Sequence, residues 1–177
     1  MKVFGTGWQR TGTTSLGQAL NALGVRTRQY PWPLLDNLNH PIIHRFDGFC
    51  DNPIPIVYRD LDRLHPGSKF IHTIRDEEGW LKSVQWLMTG GAVKFQWDTL
   101  PKGWEMIERL YGTREYDEKI FRERYRRHNE QVLEYFSARP GDLLVIDLTQ
   151  GDDFNKICPF LGLPVPDESF PHRNTSA

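Results

Sequence analysis

The chain reads as an α/β fold of three layers, a central, mostly parallel sheet with helices on both faces, and three observations predict it. Short apolar runs of strand length alternate with segments of helical periodicity. A glycine-rich turn joins the first strand-like run to the first helix-like segment. The composition, 38% hydrophobic and 12% aromatic in 177 residues, suffices for one core and is too little for two, so a single domain over residues 1–177 is expected.

Taken in order, Lys2 to Phe4 forms a short strand and Gly5 to Gly12 a glycine loop. The helix that follows carries its apolar face on Leu16, Leu20 and Leu23 and stops at Gly24. A second unit starts at Lys69, where Lys69 to Ile74 has the look of a largely buried strand. Asp76 then serves as N-cap, Glu77 and Glu78 fill a first helical turn, and Leu81, Val84 and Met88 face the core. A long charged helix runs from about Glu115 to Ser137, with an apolar stripe of Phe121, Tyr125, Val132 and Phe136. Its arginines, Arg122, Arg124, Arg126 and Arg127, read as a solvated face. A third strand covers Leu143 to Ile146, followed by a turn at Gln150–Gly151 and a short helix from about Asp153 to Leu161. Between these units lie a proline-rich connection, Tyr30 to Pro55, and a stretch rich in tryptophan and glycine, Gln85 to Trp104. Strands alternating with helices imply parallel pairing.

Charge and cysteine usage exclude several classes of function. The 22 Lys and Arg nearly balance the 23 Asp and Glu, which argues against bulk nucleic-acid binding and makes any anion-binding surface local. Cys50 and Cys158 have no CxxC spacing, so neither a disulfide framework nor a thiolate metal site is indicated, and no metal is expected. The first residues lead straight into glycines rather than into an apolar leader, and no stretch has the length of a membrane span. Cytoplasm is therefore the expected compartment.

The segment Gly7-Trp8-Gln9-Arg10-Thr11-Gly12-Thr13-Thr14 has the two glycines of a GxxxxGK[ST] phosphate loop (P-loop), between a strand and a helix as that motif requires. Glycines let the backbone N–H groups converge on an anion, and the helix behind adds its unpaired N-terminal donors. Thr13, Thr14 and Ser15 add hydroxyls. The lysine that reaches the β- and γ-phosphates in nucleoside triphosphatases is replaced here by Thr13, and a cation occurs three positions earlier, at Arg10.

Arg10-Thr11-Gly12-Thr13-Thr14 after a strand resembles the 5'-phosphosulfate loop of the sulfotransferase family, which commonly reads Lys-Ser/Thr-Gly-Thr-Thr. That family also carries an Arg at the end of a strand and a Ser eight residues on, which bind the donor's 3'-phosphate; Arg75 and Ser83 match them. Asp76 and Ser83 fall on one helical face beside Arg75, so a guanidinium and a hydroxyl can converge on one phosphate; the alternative is that Arg75 pairs with Glu77 or Glu78. Further stretches, among them Phe46 to Pro53, Pro66 to Ile71, His128 to Val132 and Phe160 to Pro166 leading into Phe170 to Asn174, are similar to short microbial members of the family.

The resemblance implies a sulfotransferase that passes a sulfuryl group from PAPS (3'-phosphoadenosine 5'-phosphosulfate) to a hydroxyl or amine acceptor, leaving PAP, without a metal. It implies a donor site built from Arg10, Thr11, Gly12, Thr13, Thr14, Ser15, Arg75 and Ser83. Arg10 then acts as an electrostatic clamp on the leaving phosphate, since a guanidinium cannot give up its proton. The family's general base comes from the region between the two motifs, where Asp51 is the first candidate and His44 the second. His128 is better explained by packing or a hydrogen bond to a loop, and His172 lies in a proline-bounded tail. Trp86, Trp97 and Trp104 around Gly90-Gly91 read as an aromatic flap beside the site, or as core or oligomer contact in a possible homodimer. The partner expected is a small-molecule acceptor of unread identity. Three rivals remain: a P-loop kinase, for which Leu143 to Asp147 has the shape of a magnesium-positioning strand, a non-catalytic nucleotide-binding or partner-binding module of the same fold, and a helical interaction protein resting on the arginine-rich helix alone.

Overall fold

The computed structural model describes residues 1–90 and 97–171. Its centre is a five-stranded, all-parallel sheet in the order β2-β3-β1-β4-β5, formed by β1 (Val3–Gly5), β2 (Thr27–Gln29), β3 (Gly48–Cys50), β4 (Lys69–Thr73) and β5 (Leu143–Ile146). Seven α-helices accompany it among the described residues: α1 (Thr13–Ala22), α2 (Ile42–Arg45), α3 (Ile54–Leu64), α4 (Glu77–Met88), α5 (Gly103–Tyr111), α6 (Glu118–Phe136) and α7 (Phe154–Leu161). This is the three-layer α/β fold the sequence predicts.

Strand periodicity builds the layers. Val3, Cys50 and Ile71 point to one face, where Leu16 and Leu20 of α1 and Ile157 and Leu161 of α7 cover them. Their neighbours Phe4, Phe49 and Phe70 point to the other, against Tyr58 and Leu61 of α3 and Val132 and Phe136 of α6. A period of two along each strand thus feeds two cores at once. A third cluster lies between α4, α5 and α6, where Trp80 stacks on Tyr125 and Tyr111 on Phe121.

Two expectations change. Arg122 and Arg126 do not simply face solvent: Arg122 pairs with Glu77, Glu78 and Glu118, and Arg126 with Glu77, tying α6 to the first turn of α4. The aromatic flap is not one unit either. Trp97 is buried in the third cluster with Trp104 beside it, and Trp104 Nε1 donates to Asp98 Oδ1 at 2.7 Å, while Trp86 is 47% exposed; Gly91 lies outside the described residues.

Because all strands run parallel, the loop after β1, the turn after β3 and the segment after β4 emerge at one edge of the sheet, where a crevice between neighbouring connections forms. The candidate site is built there.

Candidate functional site

The phosphate loop is held against the end of β4. The Thr11 hydroxyl donates to the Trp8 carbonyl at 2.6 Å and lies 2.6 Å from the Thr73 hydroxyl. Gly7 packs so closely on Thr73 that any side chain would collide with it. Thr11 is fully buried, and its N–H is also spent within the loop, on the Trp8 carbonyl. Thr11 thus braces the loop from within and against the end of β4. Gly12, at φ 95°, caps α1 without a side-chain hydrogen bond, so the first turn of α1, with Thr13, Thr14 and Ser15, stands at the loop with its positive dipole end.

Arg10 also takes a left-handed backbone conformation, φ 72°, which turns its side chain across to α4. There Arg10 Nε donates to Ser83 Oγ at 2.8 Å, and the guanidinium lies 5.4 Å over the ring of Trp86. The two motifs recognised in the sequence therefore meet. Arg75 joins them from the end of β4. Its backbone N–H donates to the Tyr125 hydroxyl, which in turn donates to the Arg75 carbonyl, both at 2.9 Å. Glu77 and Glu78, the partners of Arg75 in the alternative reading, are taken by Arg122 and Arg126. Arg75 Nε is left buried without a hydrogen-bond partner among the described residues. Burial and then the charge of Arg75 push the Arg10 pKa below its ordinary value. Two guanidiniums that repel each other, one with an orphaned donor, define a site that an anion would relieve.

Asp51 follows β3 on the same edge, with a left-handed φ of 72° that Asp tolerates better than most residues. Its carboxylate accepts from Gln29 Nε2 at 3.0 Å and from the Asn52 N–H at 2.8 Å. Burial raises its pKa, and those two hydrogen bonds work against the shift. Burial and the nearby Asp51 charge also push the Tyr30 hydroxyl up to about 12. Asn52 connects this turn to the loop through Nδ2, which donates to Gln9 Oε1 at 3.3 Å, while Gln9 Nε2 donates to the Tyr111 hydroxyl at 2.8 Å.

His44 does not reach this edge. It is exposed on α2, ahead of β3, and its charge is felt by His65, which precedes β4, so both mark the opposite end of the sheet. It leaves the candidate set. His128 hydrogen-bonds the Thr6 carbonyl at 2.8 Å from within the helix, as packing to a loop predicts. Sequence reasoning missed its companion. His72 Nδ1 accepts from the Thr6 hydroxyl at 3.1 Å, and its Nε2 donates to Asn129 Oδ1 at 3.0 Å. Burial keeps both rings neutral, lowering His72 to about 4 and His128 to about 3. A polar residue in the middle of an apolar strand, Phe70-Ile71-His72, was the available signal. Asp147 ends β5 with Oδ1 accepting from the N–H and hydroxyl of Thr149, at 2.9 and 2.6 Å, in a local turn. His172 lies outside the described residues.

A loop, a strand-end arginine and a helical serine come together at one end of a parallel sheet, and the sulfotransferase domain matches residues 31–177 of the chain, which belongs to that family. The matched region contains Asp51, Arg75 and Ser83; the loop at Gly7–Thr14 precedes it. Among relatives, the Ava biosynthesis cluster protein M of Aspergillus versicolor is 24% identical over 216 residues, an alignment covering 99% of this chain and 82% of that protein. No helix among the described residues is long and apolar enough to cross a membrane.

Proposed function

We propose that the chain transfers a sulfuryl group from PAPS to a hydroxyl or amine acceptor in the crevice between the loop, Asp51 and α4. The observation that carries this reading is the meeting of Arg10, Ser83 and the orphaned Arg75 Nε, three donors with no carboxylate among their hydrogen-bond partners. When bound, the donor supplies an activated sulfur and a phosphate leaving group. Arg75 and Ser83 fit its 3'-phosphate. Arg10 and the first turn of α1 fit the 5'-phosphosulfate and stabilise charge on the departing phosphate oxygen. Asp51 takes the acceptor's proton as the acceptor oxygen or nitrogen bonds sulfur and the sulfur–oxygen bond to phosphate breaks, the electron pair passing to that phosphate. Its raised pKa suits a base, and Gln29 fixes its orientation. Beyond this proton transfer the chemistry rests on positioning and electrostatics, so Thr13 in the place of a lysine is no obstacle.

Calorimetry with adenosine 3',5'-bisphosphate, AMP and ATP with and without magnesium tests it. Metal-independent binding of the bisphosphate, far tighter than that of AMP, is expected. Preference for magnesium-ATP would replace the reading with that of a kinase. Bisphosphate binding with no transfer from PAPS to a panel of phenols, sugars and amines would leave a non-catalytic binding module.

A further inference from the structure

Away from the phosphate cradle, a groove of about 270 Å³ opens between the start of α3, the end of α5 and the middle of α6. Its apolar wall is Trp8, Pro55, Ile56 and Leu110, and its charged wall is Arg109, Arg124 and Arg127. Neither the donor site nor the packing of the core uses these arginines. Arg109 is half neutralised by Glu105 on its own helix, at 2.6 Å. Arg124 and Arg127 are exposed and, unlike their neighbours Arg122 and Arg126, hold no ion pair with a described residue. Arg124 lies against Gly112, whose position at the end of α5 has φ 78° and leaves Nη2 about 3.0 Å from where a Cβ would stand. Gly112 thereby gives the guanidinium its room beside the groove.

A second, independent feature marks the same place. Trp8, which forms part of the apolar wall, is 4% exposed, and its Nε1–H is buried with no hydrogen-bond acceptor among the described residues. A buried indole donor normally finds a partner. Here two guanidiniums without ion pairs line one small concavity whose floor is a buried indole with an unpaired donor, in a chain whose net charge is only -1.

We propose that this groove binds a small organic acid, an apolar body of one or two rings bearing a carboxylate. The rings pack on Ile56 and on the edges of Trp8 and Leu110 that reach the groove, and the carboxylate takes the guanidiniums of Arg124 and Arg127. Its volume, about 270 Å³, lies just below the usual range of ligand pockets, roughly 300 to 1,000 Å³, and suits a small molecule. Two cations with no acid opposite them select an anion, and the planar fork of each matches a carboxylate.

The test uses the ¹⁵N-labelled full chain, with 1-naphthoate as probe and 1-naphthamide as its neutral counterpart, following the indole Nε1–H of Trp8. Naphthoate should shift that resonance saturably, and the amide should bind at least tenfold more weakly. The double variant Arg124→Ala/Arg127→Ala should lose at least tenfold in naphthoate affinity while the bisphosphate titration is unchanged; if it does not fold, Arg127→Gln read at the same resonance replaces it. Arg10→Ala should bind naphthoate as the parent does, which separates this groove from the donor cradle. An unmoved Trp8 resonance, equal binding of the amide, unchanged affinity in the arginine variants, or loss of naphthoate binding in Arg10→Ala would each overturn the proposal.

Discussion

Acidification between pH 7 and pH 5 should destabilise the fold, and the cause lies beneath the phosphate loop. His72 and His128 are buried 5.5 Å apart, ring centre to ring centre, and both hydrogen-bond Thr6 as neutral rings. Their pKa values fall to about 4 and about 3 in the fold, whereas an unfolded histidine titrates near 6.5. The unfolded chain therefore binds more protons throughout the window from 6.5 to 4, and stability present above pH 6.5 is lost as pH falls through it. Each ring contributes a loss of about 2 kcal/mol between pH 7 and pH 5, so the pair costs about 4 kcal/mol, a large share of the roughly 5 to 15 kcal/mol of a typical domain. Glu77, held down chiefly by Arg126, and Glu105, held down chiefly by Lys102, titrate lower and do not confuse this window. Asp51 has a raised pKa and acts with the opposite sign, gaining stability as pH falls. Urea unfolding at pH 7, 6 and 5 should show the midpoint falling by roughly 1.5 to 2 M across the range. Histidine ring NMR should find both rings neutral, with the proton on Nε2, at pH 5.5. A ring titrating near 6.5 in the folded protein, or a flat midpoint, would refute the reasoning.

Three other outcomes follow from the site. Arg75→Ala should weaken bisphosphate binding by about 10- to 100-fold through loss of charge-assisted hydrogen bonds, with AMP binding unchanged and the fold kept, since Tyr125 holds only the Arg75 backbone; equal losses for both nucleotides in calorimetry would oppose it. Asp51→Asn should lower the transfer rate by about 100-fold and abolish the acidic limb of the pH–rate profile, a limb set above the ordinary Asp pKa, while donor affinity stays the same; a retained limb would assign the base elsewhere. Gly7→Ala puts a Cβ into the Thr73 side chain and carbonyl and 2.9 Å from Thr11 Oγ1, and should cost about 3 kcal/mol or more in urea unfolding; a stability equal to the parent's would contradict the loop packing.

Much was legible in the chain itself, and for local reasons. The strand, loop and helix at Val3–Ala22 announce themselves through glycine spacing and helical periodicity, and Asp76 caps α4 by accepting from the Gly79 N–H at 2.7 Å, as its place before two glutamates predicts. The inner strand Lys69–Thr73 is largely apolar because helices cover both its faces, and Leu143–Ile146, although at the sheet edge, is an unbroken apolar run. The strand β2 escaped notice because Thr27-Arg28-Gln29 is polar at a sheet edge, and β3 because its three residues lie within the proline-rich connection with no glycine loop and helix behind them. α3 was hidden behind the prolines that open it.

The candidate site divides in the same way. Loop spacing marked Arg10, and the resemblance to the sulfotransferase family marked Arg75 and Ser83, since a phosphate cradle depends on backbone geometry that short segments encode. Which of the remaining residues join them was decided by the chain's long-range pairing. Parallel pairing carries Asp51 to the loop's edge and leaves His44 at the other, although they are only seven positions apart. The docking of α6 on α4 takes Glu77 and Glu78 away from Arg75. The burial of Trp8, His72 and His128 beneath the loop, and the groove of unpaired arginines beside them, come from contacts up to 122 residues apart, for which no local pattern carries a signal. Local chemistry is written in neighbouring residues, but charge balance and burial belong to whatever the fold packs alongside them.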